Sequence, residues 1–348
     1  MLNRVHVKTD NKEINADELN SYVKQRGNTR ILGFLKFHLW LYNLSSPDKP
    51  DSWLKRAGEA PQIYDEALAV QSREQLKQYL YNKGYYDATV DFSTGITKNE
   101  KKSEVDYRIT TGKPWLISGI GYDIGDTVMA DLFTREYTPK YVRANGVFDL
   151  DQLDRERDNV VRFFQNRGYY FFSKPLIFFE ADTLTSHGYT RLKMFVELPQ
   201  ANFSDSVRIF RPYRLRNFTF NVSPGSQETL SRDTLVKDHH TFVFPENFMY
   251  NPNLFLRLNR MANQETYHAG NAENTFSALN RLRQFRFINI NFKEVPDSTG
   301  LLECTVDLSP LSRQSASFDI EGTNTSGNFG VAGNLNYSHR NLFHGAEI

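Results

Sequence analysis

Ser72–Tyr86 reads SREQLKQYLYNKGYY, and Asp151–Tyr170 reads DQLDRERDNVVRFFQNRGYY. Both are amphipathic helix patterns closed by Asn-Lys/Arg-Gly-Tyr-Tyr. Leu76, Tyr79 and Leu80 share a face in the first, as do Leu153, Val160, Val161 and Phe164 in the second. Ser72 with Gln75, and Asp149 with Gln152, have the spacing of pairs that satisfy amide donors at a helix start. Gly84 and Gly168 follow the last helical turn, where a left-handed residue closes a helix at least cost.

Outward from each glycine the pattern is strand, polar turn, strand. The first pair is about Asp87–Phe92 and Glu104–Thr110, around a charged turn at Thr97–Lys102. The second is Phe171–Phe179 and Thr190–Leu198, around Asp182–Gly188. Valine, isoleucine, phenylalanine and tyrosine dominate both, as strands prefer. A third unit carries Phe276, Leu279 and Leu282 on one face of Asn274–Arg283, then strands at Phe285–Phe292 and Leu301–Leu308. Gln284 stands where the glycine should be, so this helix must end differently. Short β segments at Arg4–Val7, Leu116–Tyr122 and Leu215–Val222 precede the helical regions. Each unit therefore reads β-α-α-β-β, a three-stranded sheet with two helices on one face, with extra loop material in the first and third. The fold class is α+β, with units at residues 1–113, 114–205 and 206–312 and a different terminal segment at 313–348. Ser45–Pro61, with Pro47, Pro50 and Pro61, reads as a loop insertion in the first unit.

From Arg313 the period changes to two. Ala316, Phe318 and Ile320 alternate with Ser315, Ser317, Asp319 and Glu321, a turn follows at Gly322–Asn328, and Phe329, Val331, Leu335 and Tyr337 alternate with small or polar residues. Apolar residues on one face and polar ones on the other suit a strand with lipid outside and a wet lumen inside. A hairpin of a soluble sandwich shows the same alternation, and periodicity does not separate the two.

Bulk properties narrow the function. Forty-two basic and 41 acidic residues leave a formal charge of +1, which gives no basic surplus for nucleic acid. Twenty-seven Phe and 18 Tyr suit sheet-rich structure. The single cysteine, Cys304, excludes an internal disulfide and any CxxC site, and its alternating surroundings read as a buried thiol. Ile31–Tyr42 is too short and too polar for a transmembrane helix. Leu32, Leu35, Leu39 and Tyr42 recur at helical spacing and read as a core helix, with an interfacial membrane helix as the alternative.

Tandem β-α-α-β-β units joined by helix-Gly-Tyr-Tyr-strand corners resemble polypeptide-transport-associated (POTRA) domains. Gly322-Thr-Asn-Thr-Ser-Gly-Asn-Phe-Gly330, with Tyr337-Ser-His-Arg340 and Arg340-Asn-Leu-Phe-His-Gly-Ala-Glu347, resembles the opening barrel hairpin of BamA/TamA-type outer-membrane assembly factors. Gln25-Arg-Gly-Asn-Thr-Arg30 and Leu41-Tyr-Asn43 are most similar to the TamA-like lipoprotein branch. The resemblance implies a factor of the bacterial outer membrane, with these domains in the periplasm, that inserts or exports proteins. Its partners would be unfolded outer-membrane or surface-protein clients, a periplasmic or inner-membrane accessory protein, and outer-membrane lipid through the barrel.

Clients would add as strands to exposed sheet edges, where unpaired backbone groups accept varied sequences. Carried onto this chain, the edge residues are Ala88, Val90 and Phe92; Phe171, Ile177 and Phe179; and Phe287, Ile288 and Ile290. A proline at Ile177 is expected to block addition while sparing the fold. The strand at the barrel seam would hold Ser315, Ser317, Phe318, Ile320 and Glu321. The chain departs from the family in lacking a signal sequence, a lipid-attachment cysteine, the third helix-ending glycine and the rest of the barrel.

No enzyme constellation is found, and the chain is expected to hold no catalytic, cofactor or metal residues. Gly119-Ile-Gly121-Tyr-Asp-Ile-Gly125 misses dinucleotide spacing by one residue and reads as a loop. His239-His240 lacks neighbours at ligand spacing and reads as a solvated pair. Asp149, Asp151 and Asp154 lie at a helix start and favour its dipole. The competing reading is a secreted or periplasmic protein-binding module of repeated α+β domains without a barrel.

Overall fold

Gly84 and Gly168 both adopt left-handed backbone, with φ of +86° and +99°. Each ends a helix and turns the chain against the next unit of the repeat. A computed structural model describes all residues except 32–34, 46–51, 97–101, 198–207, 224–231, 246–249, 297, 326–327, 342–344 and 347–348; the side chains of 184–186, 232, 323–325 and 328–329 are also not described. The turn expected at Thr97–Lys102 and the boundary expected at residues 205–206 fall almost wholly outside the described residues. By contacts the chain separates into two compact units, one of residues 1–123, 138–157 and 178–195, the other of residues 124–137, 158–177 and 196–348.

In the first unit, β1 (Leu2–Thr9) pairs parallel with β3 (Ser103–Thr110), which pairs antiparallel with β2 (Thr89–Ile96), giving the order β1-β3-β2. Helices α1 (Ala16–Ser21) and α4 (Glu66–Asn82) belong with this sheet, whose core includes Leu19, Leu76, Leu80, Val105, Tyr107 and Ile109. Helix α4 starts six residues before the sequence reading, with Asp65 as N-cap accepting from the Ala67 amide. Ser72 is thus no cap. Its hydroxyl lies mid-helix, donates to the Leu68 carbonyl and accepts from the Lys24 amide.

The first-unit insertion is not all loop. Within Ser45–Pro61 it forms α3 (Trp53–Ala57), capped by Ser52, and α2 (Phe37–Asn43) lies just before it. Nor is Ile31–Tyr42 a core helix, since helix begins only at Phe37 and Leu35 is 49% exposed while Leu39 is buried.

A second sheet of the first unit has the order β4-β6-β5, from β4 (Leu116–Ile124), β5 (Ile177–Ser186) and β6 (Tyr189–Val196). The glycine-rich Gly119–Gly125 stretch is therefore mostly strand, not loop. Ile117, just before it, is in the core, and Ile120 packs against the same core. Strand β5 runs past Asp182 to a turn at His187–Gly188, so the polar turn is shorter than read. Helix α6 (Leu150–Gln165) gives its first half to this unit. Glu156 on that half is 3% exposed, and its carboxylate accepts from the amides of Lys140, Tyr141 and Val142.

The second unit holds α5 (Thr127–Glu136), the remainder of α6 and a five-stranded sheet of order β10-β11-β7-β9-β8. Three of its strands repeat the earlier plan: β7 (Arg214–Val222) is parallel to β11 (Leu301–Pro310), which is antiparallel to β10 (Phe285–Glu294). The expected three-stranded third sheet is thereby corrected. Residues read as loop form the hairpin of β8 (Arg232–Lys237) and β9 (His240–Pro245), and β9 pairs parallel with β7. Asp238 (φ +49°) and His239 (φ +62°) make the turn, the left-handed pair a two-residue hairpin favours. His240 is not solvated. It is 9% exposed, stacks on Phe218 at 5.0 Å, and its Nε2 lies 3.1 Å from the Asn259 amide nitrogen.

Helices α7 (Pro252–Leu258) and α8 (Ala269–Arg281) supply Phe255 and Leu279 to a core with Phe218, Phe220, Phe242 and the buried Cys304. Helix α8 does end on a left-handed residue, but it is Arg283 (φ +53°), one position before Gln284. Beyond this sheet, β12 (Gln314–Thr325) and β13 (Asn328–His339) pair antiparallel over their full lengths.

The joints repeat in detail. In the first, the Gly84 carbonyl accepts from the Trp115 amide at 2.9 Å, and Lys83 pairs with Asp151 at 2.8 Å. Tyr85 is buried, while Tyr86 reaches on to Trp115 at 5.1 Å. In the second, the Gly168 carbonyl accepts from the Tyr213 amide at 2.8 Å and Asn166 accepts from the Gly270 amide. Tyr169 is buried, while Tyr170 reaches on to Tyr267 at 5.0 Å. A Cβ on Gly84 would stand 2.6 Å from the Phe148 carbonyl oxygen, and one on Gly168 would stand 2.8 Å from Thr266.

Backbone strain and collision act together at these two positions, so Gly84→Ala and Gly168→Ala should each cost about 2 kcal/mol or more. Arg283→Gly relieves left-handed strain at the third helix end and should stabilise by about 1 kcal/mol. Urea-denaturation midpoints check both signs.

Candidate functional site: an open strand edge beside a helix

Strand β10 ends the five-stranded sheet. Its inner side pairs with β11 from Phe285 opposite Pro310 to Glu294 opposite Leu302. Its outer side carries no partner strand among the described residues. A row of amides and carbonyls is therefore presented for pairing with another extended chain.

Apolar side chains flank that row. Ile288, Asn289, Ile290 and Phe292 of β10 face Ala272, Glu273, Phe276 and Ser277 of α8 across a groove of about 490 Å³. Ile288, Ile290 and Phe292 follow the two-residue period of a strand. Phe276 is 42% exposed and forms the helix wall. Phe287 is 56% exposed.

Both ends of β10 are pinned. At its start, Phe285 is buried with its ring 5.5 Å from Tyr250. Near its end, Phe292 packs on Tyr170 (5.6 Å) and Tyr267 (5.1 Å), so the second joint buttresses this strand directly. The Glu294 carboxylate accepts from the Tyr213 hydroxyl at 3.0 Å and from Arg208 Nε at 2.9 Å. Burial, then the bond to Glu294, pushes the Tyr213 hydroxyl up to about 12.

Other sequence-selected edge residues lie differently. Val90 is buried and Phe92 packs on the core behind β2, while Ala88 is buried just before that strand. The outer sides of β2 and β5 are also unpartnered among the described residues. Phe171 is not on a strand. β5 begins only at Ile177, after a 3-10 turn at Lys174–Leu176, and Phe171 instead packs 5.3 Å from Tyr213 with the Arg208 guanidinium 4.6 Å from its ring. The aromatic run after Gly168 is thus spent on the joint. Ile177 is fully buried, so proline there would disturb the core as well as the edge. Phe179 is partly buried against the core of its own sheet.

The terminal hairpin is a second exposed surface. Ala316 opposite Tyr337, Phe318 opposite Leu335 and Ile320 opposite Gly333 share one face, while Ser315, Ser317 and Glu321 share the other. Phe318, Ile320, Val331, Leu335 and Tyr337 are each 63% exposed or more. Ser315 is held at the base by Ser338 (2.9 Å) and Arg340 (3.1 Å). Each strand has 12 residues, longer than the alternation alone indicated.

Among the described residues, no group of three His, Cys, Asp or Glu side chains is placed to hold a metal ion. Among the described residues, too, no helix is long and apolar enough to cross a membrane, which says nothing about crossing by strands.

Residues 1–112 match the POTRA family, whose description is surface antigen variable number repeat. The matched region carries the first sheet and its helices. The second and third sheets repeat the order in which the last strand of the β-α-α-β-β plan sits between the other two. The chain is α+β, and the same three-strand order recurs in three of its sheets, the first of which lies in the region that matches the POTRA family.

No curated protein matches it. Similar solved structures include POTRA3-5 of Haemophilus influenzae BamA, at 12% identity and a TM-score of 0.42, covering 88% of this chain and 95% of that one. Haemophilus ducreyi BamA lacking POTRA domains 1-3 is similar at 10% identity and a TM-score of 0.43, covering 66% of this chain and 35% of that one. CdiB from Acinetobacter baumannii has 11% identity and a TM-score of 0.29, covering 67% of this chain and 37% of that one. The chain thus spans little more than a third of the latter two structures.

The Tyr213 pin gives a pH signature. A tyrosine held neutral above its ordinary value of 10 contributes stability that is complete below pH 10 and lost as pH rises toward about 12. The stability difference between wild type and Tyr213→Phe, measured by urea denaturation, should be constant below pH 10 and shrink above it.

Proposed function

We propose that this chain is the periplasmic client-receiving region of an outer-membrane protein assembly or translocation factor of the BamA/TamA type. In this reading, unfolded β-rich clients add a strand to the outer side of β10. The observation that carries it is the open edge with Ile288, Ile290 and Phe292 on its inner flank and Phe276 across the groove. Main-chain pairing supplies affinity for any extended segment, and the groove takes alternate apolar side chains, the residue pattern of a membrane β-strand. The second joint fixes the groove through Tyr170 and Phe292. No catalytic step is needed, because binding and release of strands perform the work.

We propose units at 1–113, 114–205 and 206–312, a division supported by each range holding one sheet. The outer sides of β2 and β5, flanked by Val90, Phe92 and Phe179, are left to accessory proteins or further client segments. Residues 313–348 are proposed as the opening hairpin of a transmembrane barrel, with β12 at its seam. Twelve residues extend about 40 Å, which at a 45° tilt crosses about 28 Å, close to the hydrocarbon thickness of a bilayer. The apolar face of Phe318, Ile320, Val331, Leu335 and Tyr337 would meet lipid, and Ser315, Ser317 and Glu321 the lumen. The similarity of Gln25–Arg30 and Leu41–Asn43 supports the TamA-like lipoprotein branch.

The test is binding of a fluorescent peptide copied from an outer-membrane β-strand, followed by anisotropy. Phe276→Glu, at an exposed position that spares the core, should weaken binding by about tenfold or more, equivalent to about 1.4 kcal/mol. Val128→Glu, on α5 at 67% exposure, should leave it unchanged. Equal affinity of Phe276→Glu and wild type would exclude the groove as the client site.

A further inference from the structure

The insertion of the first sheet exposes apolar surface that no part of the fold explains. Phe37, Trp40 and Leu44 lie at positions i, i+3 and i+7 along α2 and its C-cap, one helical stripe. They are 43%, 57% and 53% exposed, and the Phe37 and Trp40 rings stand 5.8 Å apart. Trp53, opening α3, is 65% exposed, and Ile31 and Leu35 are 40% and 49% exposed. Two of the chain's three tryptophans thus face solvent on one short insertion.

This surface is held in place. Ile31 and Leu35 exchange backbone hydrogen bonds at 2.7 and 3.1 Å. Asn28, 3% exposed, donates to the Ala60 carbonyl and accepts from the Gln62 amide. Gln25, 7% exposed, donates to the Ile63 carbonyl and accepts from the Asp65 amide. The Glu59 amide donates to the His38 carbonyl. Buried polar side chains therefore tie both limbs of the insertion to its base.

Its charge differs from that of the whole chain. From Gln25 to Asp65, between which the insertion runs, Lys and Arg outnumber Asp and Glu six to four, whereas the chain totals are 42 and 41. Burial lowers the Lys36 ammonium below its ordinary value, and Arg30, Lys102 and Arg4 press it the same way while Glu59 opposes them. The neighbourhood thus carries more positive charge than its acids balance.

We infer that the α2–α3 insertion docks on an anionic phospholipid bilayer, placing Phe37, Trp40, Leu44 and Trp53 at the headgroup boundary and Lys55 and Arg56 against lipid phosphates. The composition favours lipid over protein. Tryptophan and phenylalanine beside lysine and arginine is the pattern of interfacial membrane segments; protein–protein interfaces share the aromatics and arginine but are depleted in lysine. Anionic headgroups complement the local positive charge.

The experiment uses the whole chain with vesicles of phosphatidylglycerol and phosphatidylcholine bearing brominated acyl chains, which quench tryptophan on contact. Emission should fall on the mixed vesicles to roughly half, and much less on phosphatidylcholine alone. Trp40→Phe with Trp53→Phe should remove the quenching, because Trp115 is packed in the first joint against Tyr86 and His187. Lys55→Glu with Arg56→Glu should weaken vesicle binding by about tenfold. Phe318→Ser with Leu335→Ser, which strips the apolar face of the terminal hairpin, should leave the quenching intact. Loss of quenching in that hairpin variant would overturn the proposal. So would absence of quenching in the wild type, or a lipid-free self-association, measured by sedimentation, that Trp40→Phe with Trp53→Phe abolishes.

Discussion

The structure depends on a repeated corner in which a helix stops on a left-handed residue and its glycine carbonyl accepts from the first amide of the next sheet's module. The Gly84–Trp115 and Gly168–Tyr213 bonds, at 2.9 and 2.8 Å, make the same connection in the two places where the motif occurs. Both glycines face hard neighbours on the side a Cβ would occupy, so the motif sets conformation and clearance together. The two tyrosines then divide the work. Tyr85 and Tyr169 fill the core behind them, while Tyr86 and Tyr170 extend to rings of the following module. Five consecutive residues thereby end one module and seat the next.

That corner reaches the groove beside β10 directly. Tyr170 touches Phe292, and Phe292 lines the groove beside α8. With Phe285 buried at one end of β10 and Glu294 held by Tyr213 and Arg208 at the other, the middle of the strand remains for pairing. On the proposed function, this edge accepts many sequences and cannot rely on selective side chains. It can rely on a backbone held between two fixed ends, because order already present in the strand need not be supplied on binding.

Much of this was legible in the sequence, where information is local and periodic. The helix-Gly-Tyr-Tyr pattern identified two joints, and the strand order β-α-α-β-β followed from period and turn signals. The failures have physical reasons. Arg283 takes the left-handed position usually given to glycine, so a search for glycine placed the helix end one residue late, at Gln284. The β8–β9 hairpin joins its sheet through a parallel pairing with β7, a nonlocal contact that periodicity does not encode. Its local signal was present nevertheless, as two β-rich runs separated by the pair Asp238-His239.

Phe171 belongs to an aromatic run that resembles strand but packs in the joint. In Ile31–Tyr42 the helical period was visible, yet period alone does not say which apolar face is covered. Leu39 is inside and Trp40 outside. Glu156 gave no signal at all, because a carboxylate that accepts from three amides of one loop is recognised only once that loop is placed.

The most direct measurement is a structure of this chain bound to a peptide from an outer-membrane β-strand, by crystallography or by nuclear Overhauser contacts in solution. The account predicts a peptide strand hydrogen-bonded along the outer side of β10, with alternate apolar side chains between Ile288, Ile290 and Phe276. A peptide seated elsewhere, or bound without main-chain pairing to β10, would contradict it.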